Sequence, residues 1–142
     1  MLRSAVAILF GIIAGALIVA LVEWAGQQAF PLPAGVDVND RAQLVAVIEQ
    51  APLSALLMVL LAWFFGACDG AMIAAWLAPS RPWRHGSVVV LVLAMMAVVM
   101  LQRLPHPRWF VFATPPTYLL AWLIGSKIGS MLHDRRRAGI AR

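Results

Sequence analysis

The sequence predicts an all-α integral membrane protein: a four-transmembrane-helix bundle with an amphipathic helix in the first outer loop. Three observations carry that expectation. The 142-residue chain is 63% hydrophobic and 12% charged, about half the charge of an average soluble domain. Its apolar residues gather in four runs, at residues 4–24, 52–78, 86–103 and 109–132, each near or above the roughly 17 residues a helix needs to cross a bilayer core. In three of those runs small residues recur every fourth position, which places them along one helical face. The length suits a single membrane domain.

The first run is free of charge from Ser4 to Val22, between Arg3 and Glu23. It is longer than the apolar part of a secretory signal, so it reads as a retained span. Ala7, Gly11 and Gly15 form its small-residue ridge.

Residues 25–51 are the one substantial polar loop. Phe30-Pro31-Leu32-Pro33 has φ fixed twice and reads as extended chain. A helix is expected to begin at Asp40, whose carboxylate can cap free N–H groups, with Gln43 three residues on as in a capping box. Leu44, Val47, Ile48 and Ala51 share one face and Gln43, Glu49 and Gln50 the other, the pattern of a helix lying on a membrane.

The second run, Pro52 to Ala78, is apolar except for Asp69, which sits between Gly66 and Gly70. Its ridge is Ala62, Gly66, Gly70, Ala74 and Ala78. Pro79 to His85 reads as a basic turn. The third run, from Ser87 to Gln102, is rich in Val and Met and has no glycine. Pro115-Pro116 interrupt the fourth, so its helix is expected to start at one of them or to follow a short interfacial turn. Thr117, Ala121, Gly125 and Gly129 are its ridge, and a basic tail, 133–142, follows Leu132. From the ridges, spans one, two and four are expected to pack against one another with span three peripheral, or else one ridge stays free for a homodimer.

Charge sets the orientation. Arg3, Arg81, Arg84, Lys127, Arg135, Arg136, Arg137 and Arg142 fall on one side and only Arg41, Arg103 and Arg108 on the other. By the positive-inside rule both termini are expected on the cytoplasmic side of a cell inner (plasma) membrane, with the long loop outside. Arg81, Arg84, Arg135, Arg136 and Arg137 are then candidates for anionic lipid headgroups. The net charge of +5 follows no continuous basic stripe, which argues against nucleic acid as a partner. Arginine and alanine richness hints at a GC-rich bacterial genome.

Asp69 is the sharpest candidate for chemistry, because a carboxylate at membrane depth costs roughly 2.5–3.5 kcal/mol on insertion scales. It is read either as a proton or cation site or as a carboxyl that bonds a hydroxyl, such as Thr117 or Ser126, and fixes assembly. Lys127 is a conceivable partner, although it stands about 200° round its helix from Gly125. Glu23, at the outer end of span one, is expected to meet Arg103 or Arg108. His85, His106 and His133 lie at different span ends and cannot converge on one metal. Cys68 is the single cysteine. Trp24, Trp83, Trp109 and Tyr118 read as an interfacial belt, and Trp63, Trp76 and Trp122 as packing residues.

No nucleophile–base pair, metalloprotease helix or phosphate loop is present, so no catalytic residue, metal or cofactor is expected. The chain is expected to be an accessory or scaffold subunit packing through its small-residue helix faces, as a homo-oligomer or with a membrane-protein partner. The rival expectation is a small transporter or channel using Asp69. In architecture alone the pattern resembles the small multidrug resistance transporters. It departs from them in the place of Glu23, at the end of span one rather than its middle, and in the long outer loop.

Overall fold

The structure, a computed structural model, describes residues 2–37 and 39–140. Its elements are five helices: α1 (Leu2–Ala29), α2 (Arg41–Gln50), α3 (Leu53–Leu77), α4 (Pro82–Arg103) and α5 (Arg108–Ile140). No strand occurs among the described residues. α1, α3 and α4 are long and apolar enough to cross a membrane. This is a helical membrane protein. In α5 the polar and cyclic residues Thr114 to Tyr118 dilute an otherwise apolar run.

α3 is the axis of the bundle. It packs against α1 on one side, α5 on another and α4 on a third, while α1 and α5 do not meet. The expected mutual packing of spans one, two and four is therefore corrected: the chain turns so that α3 keeps its two small-residue faces for two different neighbours. α4 touches all three long partners and is no peripheral helix.

The reason is the spacing of glycines. A methyl group at Gly11 would stand 2.6 Å from the Gly70 carbonyl oxygen, and one at Gly70 would stand 2.7 Å from the Gly11 oxygen. Gly15 and Gly66 repeat the reciprocal arrangement at 2.7 Å. On another face of α3, a methyl at Gly125 would collide with the Cys68 carbonyl and one at Gly129 with that of Met72. Only hydrogen fits at these places, so the backbones approach as closely as lipid-embedded helices can. The glycines of all three ridges, on α1, α3 and α5, are consumed inside the chain.

α4 adds a contact that the missing glycine between Ser87 and Gln102 conceals. The helix begins at Pro82, four residues before the expected start at 86, because proline suits the first helical position, where no N–H is needed. Arg81 just before it takes the left-handed conformation, at φ 49°. Gly86 thus lies a full turn inside α4, where an added methyl would strike the Ser126 hydroxyl and lie 3.3 Å from the Ala71 oxygen.

α5 is one helix through Pro115 and Pro116, against the expectation of a start or a turn there. The freed carbonyls lie on an exposed side, at Val111 and Phe112. Thr114 and Thr117 brace the region by donating to the Phe110 and Ala113 oxygens at 2.9 and 2.8 Å. The helix also runs on past Leu132 through the arginines, which favour helix and suit its carboxyl end.

α2 lies off the bundle. Asp40 caps it, accepting from the Ala42 and Gln43 amides at 2.9 and 3.4 Å. The Gln43 side chain bonds the Asp40 carboxylate and the Asp37 amide, not the Asp40 amide of a true capping box. Leu44, Val47 and Ile48 are half-buried, while Gln43, Glu49 and Gln50 are exposed. Arg41 Nε reaches the Arg103 carbonyl at 3.0 Å and ties α2 to the end of α4.

The seams set the first test. Gly66→Val should lower stability in detergent by at least 1–3 kcal/mol, the usual cost of overpacking. Gly26→Ala, whose methyl would meet Met58 at an ordinary 3.7 Å, should be neutral or raise it by up to about 1 kcal/mol. Thermal unfolding of both variants in one detergent checks the difference.

Candidate functional site

Parallel helices α1 and α4 touch low in the bundle and then part. Val89 packs on Gly11 and Leu93 on Gly15. Beyond Leu93, towards the end where α1 and α4 stop, they enclose a crevice of about 770 Å³. Its walls are Ala16, Val19 and Ala20 from α1 and Met95, Met96 and Met100 from α4, with Glu23 and Arg103 towards the same end. Trp63 of α3 and Tyr118 of α5 form its floor.

Each floor residue is held. Trp63 is 6% exposed and meets Phe110 edge-on at 5.4 Å. Phe110 in turn stacks on His106 at 4.7 Å. Tyr118 is buried, not part of an interfacial belt, and its hydroxyl donates to the Leu93 carbonyl at 3.3 Å. That bond gives the buried hydroxyl the acceptor that a donor in lipid needs.

The walls differ in kind. Ala16 and Ala20 are exposed and one turn apart, about 100° round α1 from the buried Gly11–Gly15 ridge. They are a second small-residue step that no helix of this chain covers. Met95, Met96 and Met100 are 70%, 61% and 51% exposed, soft side chains that can adapt to whatever lies against them. At the mouth a carboxylate and a guanidinium stand on opposite walls.

Asp69 lies elsewhere. Ala71 meets Gly86 of α4, and Asp69, two residues back, is about 200° round the helix on the side away from α4. It is half-buried. The hydroxyls expected to bond it do not: Thr117 donates to Ala113, and Ser126 is fully buried against α4 without a partner. Lys127 is exposed, and Gly125 and Gly129 beside it face α3, so Lys127 turns away from Asp69. Glu23 shares the crevice with Arg103, and Arg108 does not line it.

Arg81, Arg84, Arg135, Arg136 and Arg137 are all exposed at the opposite end of the bundle. His85 and His133 are buried there, at 9% and 5% exposure. Trp76 is 41% exposed and does not pack inside. Trp122 donates to the Ser87 hydroxyl at 3.0 Å. No group of three or more metal-ligating side chains occurs among the described residues.

Sequence reasoning placed Glu23 at a span end but missed the crevice. Its signal was there: Ala16 and Ala20 continue a four-residue spacing one position out of phase with Gly11 and Gly15.

No family model, curated relative or solved structure matches this chain.

The floor gives the second test. Tyr118→Phe should cost about 0.6 kcal/mol, with 1.7 as a ceiling, the range of hydrogen bonds between helices in membranes. Trp63→Ala should cost 3–5 kcal/mol by opening a cavity beneath Phe110. Chemical unfolding in mixed micelles reads both.

Proposed function

We propose that the chain is a four-span bacterial inner-membrane protein, with α5 as its fourth span, and that it works as an accessory subunit. The crevice between α1 and α4 receives an apolar helix from another membrane-embedded chain. One observation carries this reading: the small-residue faces of α1, α3 and α5 are already closed on one another, while Ala16 and Ala20 remain open beside a methionine wall.

Several features support a helix as the occupant. Exposed small residues one turn apart let a backbone approach in lipid, where close packing drives association. Methionine adapts to a partner's side chains. Glu23 and Arg103 offer a hydrogen-bonding end near the membrane boundary, where a visiting helix can be held in register. α5 supports the fourth span by running the length of α3 in close contact. The excess of arginine at the end shared by Arg3, Arg84 and Arg135 supports a cytoplasmic position for that end.

In the rival reading Asp69 serves transport. It is supported by a half-buried carboxylate in a helix long and apolar enough to cross a membrane, with neither expected hydroxyl bonded to it. Against it stands the core, where glycine and alanine backbones meet and leave no room for a polar path.

Two experiments separate these readings. Ala20→Trp should fill the crevice and abolish association in mild detergent, while the unfolding midpoint stays within a few degrees of the parent. A parent that is monomeric in several mild detergents and captures no membrane protein would end the accessory reading. Asp69→Asn in proteoliposomes should leave the protein folded and any cation flux unchanged; abolished flux would instead favour transport.

A further inference from the structure

At the end of the bundle opposite the crevice, α1 and α5 stand on either side of α3 without meeting, and the gap between them is a cavity of about 810 Å³. Arg3, Arg136, Arg137 and His133 line it, and among the described residues no carboxylate does. On α5, His133, Arg136 and Arg137 are spaced i, i+3 and i+4, so one helical face carries all three. His133 is 5% exposed, a buried imidazole beside the cavity. Arg137 is anchored, its guanidinium donating to the Pro79 carbonyl at 2.8 Å. That bond uses one of five donors and fixes the plane of the rest.

The remaining wall is apolar and leads out of the cavity. Val6 and Phe10, one turn apart on α1, line it and are 41% and 55% exposed. They continue up a helix apolar enough to cross the bilayer. A basic chamber with an apolar strip rising from it matches a molecule with a phosphate at one end and hydrocarbon at the other.

We propose that this cavity is a binding site for the phosphate of one anionic glycerophospholipid, held by Arg3, Arg136 and Arg137 with its acyl chains along Val6 and Phe10. The phosphate accepts paired N–H bonds from the guanidinium forks, and His133 supplies a further ring nitrogen at the cavity wall. The inference rests on the reading that puts this end of the bundle at the cytoplasmic face. It goes beyond general attraction of surface arginines to anionic lipid, because it singles out Arg3 and Arg136 and leaves out Arg84 and Arg135, which do not line the cavity.

The test is native mass spectrometry of the full chain from nanodiscs of mixed phosphatidylglycerol and phosphatidylcholine. The parent should retain one phosphatidylglycerol. Arg3→Gln with Arg136→Gln should weaken that retention about thirtyfold, at roughly fivefold per arginine. Arg84→Gln with Arg135→Gln removes the same charge and should change it less than threefold. Equal loss in both pairs, or retention of phosphatidylcholine as tightly as phosphatidylglycerol, would overturn the site. Displacement of the lipid by millimolar inorganic phosphate would reassign the cavity to a free anion and overturn the lipid. Arg3→Cys labelled from the periplasmic face alone would sink the orientation beneath the inference. Cytoplasmic labelling without headgroup preference would sink the cavity proposal by itself.

Discussion

Everything in this bundle depends on α3 meeting a neighbour's backbone on two of its faces at once. Gly66 and Gly70 give one face to α1, and the carbonyls of Cys68 and Met72 receive Gly125 and Gly129 of α5 on the other. Inside lipid there is no water to expel, so association draws on packing rather than on the hydrophobic effect. Contact between main chains has the most atoms to bring together and the least side-chain entropy to lose. Ala62, Ala67, Ala71, Ala74 and Ala75 extend the same economy, each essentially without exposed surface.

Close packing at one level forces separation at another. α1 follows α3 through the Gly11 and Gly15 contacts, and α4 follows through Val89 and Leu93. Further along, Trp63 and Tyr118 are too large for the same approach, and α1 and α4 are held apart over them. The aromatic cluster is thus a wedge as well as a floor. The larger gap at the opposite end has a different origin: α1 and α5 never share a surface, because α3 stands between them.

Much of this was legible in the residues. Hydropathy marks α1, α3 and α4 directly, and the four-residue spacing of Gly11, Gly15, Gly66, Gly70, Gly125 and Gly129 names the packed positions. Spacing says which positions are narrow and not which helix fills them. Three ridges therefore read as a mutual trio when α3 in fact serves α1 and α5 separately. Pro82 to His85 read as part of a turn, whereas proline opens the helix there and puts Gly86 a full turn inside it. Pro115 and Pro116 misled in the opposite direction, since the threonines beside them steady a helix that proline alone would break. Asp69 drew attention by its charge, yet the two large cavities form where helices diverge, a property of pairs of helices that no single run reveals.

The order of the helices along the chain gives the α1–α3 contact a meaning for biogenesis. Both halves of that seam precede α4 and α5 in the chain, so they leave the ribosome before either of those helices does. A finished hairpin then waits with the carbonyls of Cys68 and Met72 uncovered, a ready cradle for the last helix to be translated. The nascent chain carries its own docking template into the bilayer.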